Sequence, residues 1–127
     1  MDKKPSGKKG IARLGAAFIY SLNGLRFAIS HETAFIQEAF IYIILLVILF
    51  FLPLSLTFKC VLLLANTIVL IVELVNSAIE SIVDMTSPEY NDLAKRAKDL
   101  GSAAVLISIT IAIVLWACAI LEVLNRG

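Results

Sequence analysis

The chain has 127 residues, of which 60% are hydrophobic and 17% charged, with a formal net charge of +1. So apolar a composition excludes an ordinary soluble domain and describes a small membrane protein. A balance this close to zero gives no sign of a nucleic-acid partner, and the placement of the charges is more informative than their sum.

Residues 1–10 (Met-Asp-Lys-Lys-Pro-Ser-Gly-Lys-Lys-Gly) are charged and broken by Gly and Pro, and are expected to be a disordered tail. An amphipathic stretch follows them rather than an apolar core, so they do not read as a cleaved signal peptide. Over residues 11–31, Ile11, Leu14, Phe18, Leu22, Leu25 and Ile29 recur at spacings of three and four, which makes one apolar helical stripe. Arg13, Tyr20, Asn23 and Arg26 lie opposite. Such a helix is too polar to span, and is expected at the membrane surface with its stripe in lipid or against the other helices. Arg13 and Tyr20, seven residues apart, point the same way.

Three spans are predicted, at residues 34–54, at residues 58–84, and within residues 88–123, where a cytoplasmic helix continues into the membrane. Glu32 precedes the first span and Glu38 lies near its first turn, where the helix dipole favours carboxylates. His31 reads as an interfacial polar residue. Pro53 ends the first span. Ser87-Pro88-Glu89 reads as a helix start, with Ser87 as N-cap, proline at the first helical position and an acid in the first turn. The small side chains of Gly101-Ser102-Ala103-Ala104 allow close helix approach. Cys60 and Cys118 lack metal-ligand spacing and are expected as buried thiols, with a disulfide between them left open.

Lysine and arginine gather before the first span (Lys3, Lys4, Lys8, Lys9, Arg13, Arg26) and between the second and third (Lys95, Arg96, Lys98), against Lys59 and Arg126 on the other side. The positive-inside rule then predicts a cytoplasmic N-terminus and a C-terminus outside.

The second span carries the most unusual chemistry, Glu73-Leu-Val-Asn76-Ser77-Ala-Ile-Glu80. Ionisable groups at membrane depth are costly and point to function. At 100° per residue Glu73, Asn76, Ser77 and Glu80 share one helix face, which Asp84 extends, and the glutamates lie about 10 Å apart along the axis. A polar seam gluing helices together is the plainer reading, though Asn or Ser would serve that end more cheaply than two carboxylates. The topology brings Glu32, Glu73, Asn76, Glu80, Asp84, Lys98, Asp99, Arg13 and Tyr20 to the cytoplasmic interface. Facing carboxylates need a cation, and Mg²⁺ is the usual choice where phosphates are also bound. Lys and Arg neutralise phosphate, and a deep carboxylate such as Glu73 could accept a proton from a hydroxyl. These are the parts of a phosphoryl-transfer site, without a P-loop or a kinase glycine-rich loop. A small ion-coupled transporter and a purely structural membrane subunit are the rival classes. The first is disfavoured because the charges gather at one face and the third span offers only Ser108 and Thr110 past Ser102.

Glu73-Leu-Val-Asn76-Ser-Ala-Ile-Glu80-Ser-Ile-Val-Asp84, with Ser87-Pro-Glu89-Tyr90 and Ala94-Lys-Arg-Ala97-Lys98-Asp99-Leu-Gly101-Ser102, resembles the signature of the prokaryotic diacylglycerol kinases. Gly24-Leu25-Arg26 and Glu32-Thr-Ala-Phe35-Ile-Gln37-Glu38 extend the resemblance over nearly the whole chain. It implies an all-α integral membrane fold, a homotrimer of three-span subunits each with an N-terminal surface helix, in the bacterial inner membrane with the C-terminus periplasmic. It also implies phosphorylation of a lipid alcohol from MgATP. Glu73 would be the catalytic base, supported by Asn76, and Glu32 and Glu80 would bind Mg²⁺. Arg13, Tyr20, Glu32, Glu80, Glu89, Tyr90, Asn91, Lys98 and Asp99 would form the nucleotide side. Arg13, Arg26, Gln37, Glu38, Glu73 and Ser102 would form the lipid side. Glu89, Asn91 and Gln37 rest on the resemblance alone. Members of the family favour diacylglycerol or undecaprenol. The Glu-x-Ala-Phe-x-Gln-Glu stretch and Gly101-Ser102-Ala-Ala resemble the diacylglycerol type, from which Ile36 (for Arg) and Leu22-Asn23 (for Trp-Lys) depart. Phosphatidic acid is the expected product and undecaprenol the alternative substrate.

Overall fold

Residues 9–126 are described by the structure, a computed structural model, so the disorder expected of residues 1–10 lies outside them save for Lys9 and Gly10. Four helices make up the described part: α1 (Ile11–His31), α2 (Thr33–Phe51), α3 (Leu56–Thr86) and α4 (Asp92–Asn125). The all-α fold class holds, and α2, α3 and α4 are each long and apolar enough to cross a membrane. Gly10, at φ 65°, turns the chain into α1, and its carbonyl accepts from the amides of Arg13 and Leu14 at 3.1 and 3.3 Å. The stripe residues of α1 stay open, from Leu25 at 40% to Ile11 at 88% exposed, as a helix lying on lipid requires.

A single residue separates α1 from α2. Glu32 closes the first and opens the second in extended conformation, and its carboxylate caps neither. Leu52, extended ahead of Pro53, ends α2, since a residue before proline is pushed out of the helical region. Ser55 then caps α3 by accepting from the Phe58 amide at 3.2 Å.

The start of α4 corrects the expected one. Ser87 is not its cap; its amide instead closes the end of α3 on the Val83 carbonyl at 2.8 Å. Asn91 is the N-cap, accepting from the amides of Leu93 and Ala94 at 2.8 and 3.3 Å. Asn and Ser are nearly equal as caps, and the four residues 88–91 are needed to turn the chain from α3 into α4.

α3 packs most extensively against α4. Leu62 and Ala119 are fully buried in one cluster with Leu49 and Leu54, and Ala65, Val69 and Ala112 form a second cluster. Alanines at the crossing let the backbones approach, which is how membrane helices gain packing without a hydrophobic driving force. Polar ties supplement it: Trp116 Nε1 donates to Asn66 Oδ1 at 2.9 Å, and Tyr42 meets Thr67 at 3.1 Å. Arg126 donates to the Pro53 carbonyl at 2.8 Å and fastens the end of α4 to the α2–α3 turn. Cys60 and Cys118 are free and exposed, not buried as expected, because both lie on outward helix faces.

Candidate active site

The polar face of α3 turns inward. Glu73 and Asn76 are 6% and 7% exposed, and Glu80 is half-buried. Glu38, Glu80 and Glu32 are the charged neighbours that act on Glu73. Thus carboxylates of α2, of α3 and of the α1–α2 junction lie within electrostatic range of Glu73. The ion pairs among the described residues are Lys95–Asp99, Lys98–Asp84 and Arg126–Glu122, so none of these four is matched by a cation. Clustered carboxylates without counter-ions work against stability, which fits a group kept for chemistry.

Asn76 lies between the two glutamates of α3. Its Nδ2 donates to Glu80 Oε1 at 3.4 Å, while its Oδ1 is buried without a hydrogen-bond partner. That oxygen sits against Gly101 of α4, in the space a Cβ there would occupy.

At the α3–α4 turn, Asp84, Glu89, Tyr90, Asn91, Lys95, Lys98 and Asp99 line a cavity of about 370 Å³. Lys98 reaches across it to Asp84 at 2.6 Å, and Lys95 pairs with Asp99 at 2.6 Å. Five of the residues expected on the nucleotide side, Glu89, Tyr90, Asn91, Lys98 and Asp99, therefore share one wall. A second cavity of about 510 Å³ lies between α1 and α3, lined by Gly24, Ala28, Glu32, Ser77 and Ser81 among others. The third, about 610 Å³ and largely apolar, runs from Glu38 between α2, α3 and α4 to Trp116 and Ile120.

Arg13, Tyr20, Arg26, Gln37 and Ser102 are exposed and line none of these three cavities. No group of three or more His, Cys, Asp or Glu side chains closes into a metal cage among the described residues. Glu32 and Glu80 each carry hard oxygen donors, and Mg²⁺ commonly takes one or two carboxylates with phosphate and water completing its shell. The donor chemistry fits that ion.

Sequence reading missed Asn91 as a cap and Gly101 as the neighbour of Asn76. Asn91-Asp92 carried a cap signal that the more conspicuous Ser87-Pro88 outranked, and the seat of Asn76 depends on helix rotation.

The fold and site define a small helical membrane protein with three helices able to span and a buried glutamate on the helix that leads to a turn cavity of mixed charge. A match to the family described as prokaryotic diacylglycerol kinase covers residues 19–120, and the chain belongs to that family. It is 43% identical over 107 residues to the diacylglycerol kinase of Escherichia coli (strain K12), covering 84% of this chain and 88% of the relative. The diacylglycerol kinase of Pseudomonas aeruginosa is 39% identical over 115 residues, 91% of this chain and 94% of the relative. That of Helicobacter pylori (strain 26695) is 38% identical over 112 residues, 88% of each.

Proposed function

We propose that this protein transfers the terminal phosphate of ATP to the hydroxyl of diacylglycerol, making phosphatidic acid at the cytoplasmic face of the bacterial inner membrane. The observation that carries the reading is the buried Glu73, set among carboxylates on a helix whose end meets a lysine-bearing turn. Family membership and relatives named diacylglycerol kinase support the lipid class.

In this mechanism Glu73 accepts the proton of the lipid hydroxyl. The hydroxyl oxygen forms a bond to the γ-phosphorus as the bond from that phosphorus to the β-phosphate oxygen breaks, and ADP leaves. Lys98, released from Asp84, faces the phosphates at the turn, where Glu89, Tyr90, Asn91 and Asp99 receive the rest of the nucleotide; Arg13 and Tyr20, on α1 outside that cavity, are assigned to the nucleotide by family resemblance. Glu32 and Glu80 would hold a Mg²⁺ carried with the nucleotide, which supplies charge neutralisation on the phosphates. Asn76 holds Glu80 in place through its amide. Glu38, which lines the apolar cavity, is assigned to the lipid side, and family resemblance adds Arg26, Gln37 and Ser102. Orientation rests on the positive-inside rule, and assembly as a homotrimer on family membership.

The test is transfer of label from ATP in mixed micelles with Mg²⁺, offering diacylglycerol and undecaprenol side by side. Label in phosphatidic acid is the expected result. Label mainly in undecaprenyl phosphate would keep the mechanism and overturn the lipid; label in neither would overturn the function.

A further inference from the structure

The Asn76 amide is wedged between two partners of different kinds. On one side it donates to Glu80 Oε1; on the other, Oδ1 presses against Gly101 with no hydrogen bond. This orientation is the one the carboxylate selects, since turning the amide over would set two oxygens against each other. Gly101 is buried in α4, a helix in which glycine weakens the fold relative to alanine. Any other residue there would thrust its Cβ into Asn76 Oδ1, and that Cβ would also lie 3.3 Å from Asn76 Cγ and 3.8 Å from Ile79 Cδ1. The α-hydrogen of glycine is what the oxygen meets instead, a weak contact of the kind found where helices cross closely. Gly15 and Gly24, by contrast, have open space where a Cβ would go.

From this contact we infer that Gly101 is a positioning residue for phosphoryl transfer. By lacking a side chain it seats the Asn76 amide, which holds Glu80 one turn below and fixes the polar face that bears Glu73. The inference rests on the kinase reading of that face. A methyl group at 101 would turn the amide away and free Glu80, the residue placed beside the nucleotide's Mg²⁺, so turnover should fall and the Mg²⁺ requirement rise while lipid binding is kept.

The experiment compares Gly101→Ala, Asn76→Ala and the double variant in lipid micelles, with thermal unfolding in detergent measured on the same samples. Gly101→Ala is expected to lower kcat about tenfold or more and to raise the Mg²⁺ needed for half-maximal rate, with KM for lipid within about twofold of the parent. Asn76→Ala is expected to lose a similar factor. The double variant should fall no further than Asn76→Ala alone, because the alanine at 101 then has no amide to displace. Should Gly101→Ala unfold, the double variant is expected to recover folding. Full turnover by Gly101→Ala, losses that multiply in the double variant, or folding that the double variant fails to recover would each overturn the seat. Inactivity of the parent protein would instead overturn the kinase reading, and the unfolding comparison would still decide whether Gly101 seats Asn76.

Discussion

Lys98 holds a carboxylate that the proposed mechanism exchanges for phosphate. Its ammonium pairs with Asp84 across the α3–α4 turn, on side chains 44% and 65% exposed, where water weakens the attraction. A polyphosphate carries more charge than one carboxylate and should take the lysine over. Lys98→Ala is therefore expected to raise the KM for ATP by roughly tenfold or more while leaving the lipid KM within about twofold; a nucleotide titration at saturating lipid checks this, and an unchanged ATP KM would remove Lys98 from the phosphates. Residues of this sort were legible in the sequence because charge at membrane depth is rare enough to stand out. Glu73, Asn76 and Glu80 could be grouped from helical periodicity, and the structure turns that face inward. Gly101 could not be read as a seat, because nothing in the sequence says which α4 residue meets Asn76.

Apolar length and proline set most of the helices. α2 stops where Pro53 forbids continuation, and the polar side of α1 leaves that helix short of the apolar character a span needs. Cap choice was less legible: Ser87 and Asn91 are both competent, and the turn geometry decides for Asn91. Replacing Asn91 by alanine removes acceptance from two backbone amides and should cost about 1 kcal/mol, seen as a lower thermal midpoint in detergent. Ser87→Ala is expected to leave the midpoint within experimental scatter. Equal losses from both would mean that the serine also holds the helix start.

At the scale of the molecule, three helices are long and apolar enough to cross a membrane, and an odd number of crossings would put the two termini on opposite sides. Basic residues before α2 and at the start of α4, against Lys59 and Arg126 at the other ends, lead us to propose a cytoplasmic N-terminus by the positive-inside rule. A C-terminal alkaline phosphatase fusion is expected to be active, which requires the periplasm, and a C-terminal green fluorescent fusion dark; the reverse pattern would invert the orientation and move the acidic face to the wrong side for cellular ATP. Alanines at the α3–α4 crossing, and large apolar side chains such as Phe40, Phe50 and Ile113 facing outward, describe a protein built for lipid.

All three scales converge on Glu73, the buried acid that the mechanism makes the base. The most direct measurement is ATP-dependent formation of phosphatidic acid by the parent protein and by Glu73→Gln, in the same micelles and with unfolding followed alongside. Glutamine keeps the shape and removes the basic oxygen. Loss of at least about a hundredfold in kcat, with an unchanged unfolding midpoint and ATP KM, is the predicted result. A folded Glu73→Gln protein turning over near the parent rate would contradict it.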